Sequence, residues 1–173
     1  IDSGIWQFIL TPERIITGQF DLWLPSKAAL NNDTRFLKSI PETTLTIPST
    51  ARKIISAGAY DFHTRAYADF SGRGFTRQTN QVKPDLVAPG VNIITAGNRG
   101  GYEAVTGTSF AAPFVTGAAA LLMQWGIING NDPFLYGEKV KACLIRGARH
   151  LPGYDIWPNE RVGYGALCVA KSL

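Results

Sequence analysis

Three consecutive residues hold the clearest chemical potential in this chain: Gly107, Thr108 and Ser109, in the stretch GTSFAAP at the head of a long apolar segment. A serine hydroxyl is a weak nucleophile. It needs a base to take its proton and donors to hold the oxyanion that its attack creates. The start of a helix offers unpaired N–H groups and a positive potential for that anion. Gly107 lets a substrate backbone come close, and Ala111 and Ala112 leave room around the hydroxyl. The plain alternative is that Ser109 caps a buried helix, as serine often does. Pro113 is expected in the first helical turn, where its missing N–H has no helical partner anyway.

A base is harder to find. The sequence has 2 histidines, His63 and His150. His63, in YDFHTRAY, follows an expected strand and reads as a solvated loop residue. His150 follows Ser109 and ends a basic helix, where an imidazolium suits the helix dipole. The two cysteines, Cys143 and Cys168, have no metal-ligand spacing and no histidine beside them, so no metal site is expected and both read as half-buried thiols. The glycine-rich GNRGG (Gly97 to Gly101) lacks the Lys-Ser/Thr ending of a phosphate loop and does not join a strand to a helix.

Composition narrows the classes. With 45% hydrophobic and 17% charged residues, 173 in all, the chain reads as globular and long enough for one sizeable core. The net charge of +4 comes from scattered Lys and Arg, not from a basic run, which argues against a nucleic-acid partner. The segment from Phe110 to Ile128 has the length of a membrane span. It contains Pro113, Thr116, Gln124 and two glycines and lacks basic flanks, so a core helix is expected and no membrane partner.

The supporting elements fall into two styles. Residues 5–10 and 20–24 alternate in side chain and are bounded by Pro and Gly, which predicts two antiparallel β-strands. From residue 43 onward, short apolar runs interleave with helical segments, which predicts an α/β arrangement. A strand is expected over Lys53–Ala59, two short apolar runs flank Pro89-Gly90, and the apolar helix should reach about Gly126. A second helix is expected to start with Asp132 as N-cap and Pro133 at its first position, burying Val140, Cys143, Leu144 and Ala148 on one face.

The order IPSTARKIISAGAYD, DFSGRG, KPDLVAPGVNI, GTSFAAPFVTGAAALL and a closing GYGAL resembles the C-terminal part of subtilisin-like serine proteases, over residues from about 43 to the end. The resemblance implies an α/β fold with a parallel sheet and serine endopeptidase chemistry. Ser109 would be the nucleophile and its N–H an oxyanion donor, with Thr108 and Gly107 in support. Phe110 stands where many relatives carry a Met, which would make the site less oxidisable. These roles are inherited from the subtilisin template.

In that family the triad runs Asp, His, Ser, and the histidine opens a helix. Neither His63 nor His150 fits. IDSGIW resembles the family's Asp segment, but Asp2 has no buried strand before it and no histidine segment after it, so it is taken as a strand residue. Asp, His and the oxyanion Asn are therefore expected on an N-terminal portion, another chain or an omitted segment, which would be the principal partner beside a peptide substrate and a prodomain. The alternative is a catalytically dead relative that keeps the fold and binds a partner. GIWQFILTPERIITGQFDLWLP narrows the resemblance to Csp-type clostridial subtilases, which insert a jelly-roll β-sandwich. On that reading residues 1–25 are the last strands of the insert, 26–42 a connection and 43–173 the catalytic part. Relatives also imply structural calcium, for which no ligand set is visible here, and a secreted or spore-associated bacterial protein.

Overall fold

The computed structural model describes residues 4–25 and 29–173. The chain divides into two compact units, Ile1–Ser39 and Ile40–Leu173.

In the second unit, β1 (Ala57–Tyr60) pairs in parallel with β2 (Leu86–Pro89), Ala57 opposite Leu86 and Ala59 opposite Ala88. Residues around Ala166 extend this sheet on the far side of β2 through a parallel bridge to Val87. β3 (Ile93–Ala96) and β4 (Tyr102–Val105) form a separate antiparallel hairpin. α1 (Thr108–Met123) runs on into a π-helical turn over Gln124–Ile128, and α2 (Gly137–Gly147) and α3 (Val169–Ser172) complete the order.

Both faces of the parallel sheet are covered, as parallel strands require. On one face Ala59, Leu86 and Ala88 meet Ala111, Val115, Ala118 and Leu122 of α1, with Val140 and Leu144 of α2 behind them. On the other, Tyr60, Val87, Val162, Leu151 and Ala166 form a second cluster. Leu86, Leu122 and Leu144 are fully buried, each worth roughly 2–3 kcal/mol. The apolar run of α1 is thus a core helix along one stripe. With the π-helical turn it is long and apolar enough to cross a membrane, with 28% of that stretch buried, and Phe114, Leu121 and Met123, on either flank of the buried stripe, are exposed.

Gly90 fixes how closely β2 can lead into the chain that carries Ser109. A Cβ there would lie 2.6 Å from Ala59 Cβ and 3.0 Å from the Gly107 carbonyl oxygen. Gly90→Ala is therefore expected to destabilise by about 1–3 kcal/mol through overpacking. A urea titration with an unchanged midpoint would contradict this contact.

Several expectations change. β1 starts at Ala57 and not at Lys53, because the preceding segment is held by side chains: Lys141 Nζ donates to the Arg52 and Ile54 carbonyls at 3.1 and 2.9 Å. The second helix starts at Gly137, with Tyr136 as N-cap and no side-chain cap. Asp132 instead donates its N–H to the Gly126 carbonyl and accepts from Leu135 N–H, a turn that seats Leu135 in the core before the helix begins. Ala148 lies past the helix end as its C-cap, and Cys143 packs half-buried against the core. Pro113 is the sixth residue of α1, not part of its first turn, and its missing N–H leaves the Ser109 carbonyl without an i+4 partner.

The first unit departs most. No strand is found among described residues 4–25, and Ile5, Trp6, Phe8, Ile9, Leu22 and Trp23 are all exposed. Alternation prepares a strand, but a ladder needs a neighbouring strand to satisfy its N–H and C=O groups, and none pairs here among the described residues.

Candidate active site

β2 ends at Pro89, and Gly90 accepts the N–H of Gly107 at 2.8 Å. That bond sets the chain down at the head of α1. Gly107 is the N-cap residue, Thr108 the first helical residue and Ser109 the second. No side chain caps this helix. The capping alternative for Ser109 is therefore excluded: its hydroxyl lies inside the first turn, exposed, and among the described residues no hydrogen bond occupies it.

The electrostatics suit an anion. Phe110 N–H already bonds the Gly107 carbonyl at 3.1 Å, which leaves the Thr108 and Ser109 N–H groups as the open donors. No acidic residue stands in the first turn to compete for the positive helix end. Thr108 is half-buried and lines a cleft of about 370 Å³ together with Ser56, Ala57, Gly58 and Phe70. Phe110, which follows the serine, is half-buried. An exposed hydroxyl, open N–H donors and a cleft lined by Thr108 thus lie at one helix end.

A base does not converge with them. His63 sits in a turn where the Asp61 carboxylate accepts its N–H at 2.8 Å, and its exposed ring packs edge-on to Phe62. His150 is not at a helix end: α2 stops at Gly147, and the imidazole stacks on Trp157 at 4.1 Å with the planes 2° apart. Asp2 lies outside the described residues. Gly97 to Gly101 is the tip of the β3–β4 hairpin, closed by a Gly97 N–H bond to the Gly101 carbonyl at 3.0 Å, and joins two strands. Cys143 and Cys168 are free thiols, and among the described residues no group of His, Cys, Asp and Glu could hold a metal ion.

One cluster escaped the sequence reading. Asp85 is 3% exposed and accepts from Lys83 Nζ at 2.7 Å, Lys141 Nζ at 2.8 Å and Ser56 N–H at 2.7 Å. Lys83 is as deeply buried and also donates to the Ile54 carbonyl at 3.0 Å. Burial pushes the Lys83 ammonium below its ordinary pKa, and Asp85 pulls the other way. The Lys83-Pro84-Asp85 spacing was a signal for two groups on one face; Lys141, distant in sequence, was not legible.

The Subtilase family model matches residues 27–165, which is most of the chain. The chain belongs to the subtilase family. This subtilase chain is 47% identical to the CspB protease of Clostridium perfringens, whose structure it matches with a TM-score of 0.78 over 83% of its own length and 30% of that chain. It is 31% identical to the prenylagaramide maturation protease PagA, with a TM-score of 0.61 over 76% of its length and 46% of that chain. Among sequences, it is 35% identical over 134 residues to the membrane-bound transcription factor site-1 protease of Mus musculus, covering 75% of this chain and 12% of that protein. It is 34% identical over 147 residues to the serine protease AprX of Bacillus subtilis, 30% of whose length it spans. The subtilisin-like α/β fold and the Csp-type resemblance are both borne out.

Proposed function

We propose that this chain carries the nucleophile of a subtilisin-like serine endopeptidase. Ser109 Oγ attacks the scissile carbonyl carbon as a base takes its proton, and the Ser109 N–H helps to hold the oxyanion. Collapse breaks the C–N bond, the protonated base delivers its proton to the leaving amine, and water then hydrolyses the acyl-enzyme. The observation that carries this reading is the exposed, uncapped Ser109 hydroxyl at the second position of α1.

The Asp, the His and the further oxyanion donor belong, on this reading, to an N-terminal portion of the same protease. The absence of a base at Ser109 among the described residues supports it, as do the exposed apolar side chains Phe114, Leu121 and Met123 on the flanks of α1. Residues 1–25 are proposed as the last strands of a β-sandwich insert, whose neighbouring strands that portion would provide; their exposed alternating aromatics support this. Peptide hydrolysis is expected from the protein that joins this chain to the Asp- and His-bearing portion, and none from residues 1–173 alone. Turnover by the isolated chain would refute the division of the triad. A joined protein that folds, binds peptide and never hydrolyses it would instead identify a dead relative.

A further inference from the structure

A second cavity lies apart from the helix start, and none of Gly107, Thr108 and Ser109 lines it. It holds about 430 Å³ between Arg52 ahead of β1, Gln81, Lys83 and Asp85 ahead of β2, Lys141 of α2, and Tyr164. Lys83 and Asp85 are almost fully buried, Gln81, Lys141 and Tyr164 half-buried, and Arg52 exposed.

The charges at this cavity do not balance. Three cationic side chains line it against one carboxylate, that of Asp85. Both oxygens of that carboxylate are taken: Oδ1 accepts from Lys141 Nζ at 2.8 Å, and Oδ2 from Lys83 Nζ and Ser56 N–H, each at 2.7 Å. Lys141 Nζ directs its remaining donors to the Arg52 and Ile54 carbonyls. Lys83 Nζ gives a second bond to the Ile54 carbonyl at 3.0 Å, which leaves its third N–H over. Among the described residues no group pairs with the Arg52 guanidinium, the Gln81 side-chain amide or the Tyr164 hydroxyl. Open donors of four kinds thus border one cavity that carries two positive charges in excess.

We infer that this cavity binds a doubly charged inorganic oxyanion, phosphate or sulfate, on Arg52, Gln81, Tyr164 and the open Lys83 N–H. The guanidinium presents N–H donors in a planar fork that takes two oxygens of such an anion at once, and the other groups supply single donors. The two surplus charges match a dianion. The cavity joins the leads into β1 and β2 to α2, so an anion seated there ties these segments together and stabilises the fold by mass action. The site is independent of the role of Ser109.

The test uses the joined protease and inorganic phosphate, with ionic strength held constant by potassium chloride. Phosphate is expected to raise the melting temperature along a saturating curve, and calorimetric titration to return one site per chain, from which sulfate displaces it. Arg52→Ala removes an exposed side chain that pairs with nothing among the described residues, so the fold should survive. It is expected to weaken phosphate binding about tenfold or more, and Arg52→Lys to weaken it less. A rise in melting temperature that does not saturate and is equal in wild type and Arg52→Ala would be the general exclusion effect of these anions, and it would overturn the site. Titration heats indistinguishable from buffer would do the same. If Arg52→Ala does not fold, Tyr164→Phe decides: severalfold weaker phosphate binding supports the site, and binding equal to wild type removes it.

Discussion

Ser109→Ala is expected to lower peptide turnover by the joined protease about a millionfold, the cost known for removing subtilisin's own serine and carried over here by family. The physical ground is specific to this chain. The Ser109 hydroxyl makes no hydrogen bond among the described residues and no cap, so alanine removes the nucleophile and little else. Folding should survive, because the side chain is exposed and the helix start is already set by Gly107 and its 2.8 Å bond to Gly90. An intact melting curve with turnover reduced less than a hundredfold would move the nucleophile elsewhere.

The second large effect lies away from the site. Asp85 balances the buried Lys83 ammonium and the half-buried Lys141 one, so Asp85→Asn leaves the Lys83 charge buried without its counter-ion and is expected to cost about 3–5 kcal/mol. The pH dependence has a definite sign. Burial holds the folded-state pKa of Lys83 below its unfolded value, so the charged lysine penalises the fold at neutral pH, and removing Asp85 deepens that penalty. The penalty fades as pH rises through the folded pKa and Lys83 loses its proton. The variant's deficit in urea titrations should thus shrink from pH 7 toward pH 10, and adding Lys83→Met should recover part of it at pH 7. A deficit independent of pH would place the loss in packing, not in charge.

Much of the site was legible because its geometry is local. GTSFAAP names a helix start, a glycine approach and a small-residue setting within one short stretch, and α1 begins there. Leu86 to Pro89 was legible as a short apolar run ended by Pro-Gly, and it forms the buried strand β2. The rest depended on partners distant in sequence. The start of β1 is set by Lys141 reaching across to Arg52 and Ile54, which no pattern in KIISAGAY contains. Asp132-Pro133 had the chemistry of a helix start, yet Leu135 had to reach the core against Gly126 first. Residues 5–10 and 20–24 carry strand alternation without a ladder, since pairing belongs to the neighbour and not to the strand. His150 was expected to end a helix, but its ring stacks on Trp157 beyond the end of α2.

The most direct measurement is the site of covalent capture. The joined protease is treated with a fluorophosphonate, digested and mapped by mass spectrometry. The adduct is expected on Ser109 alone, with labelling abolished in Ser109→Ala. An adduct on any other residue, or labelling of equal extent in Ser109→Ala, would contradict the assignment of this helix start as the catalytic centre.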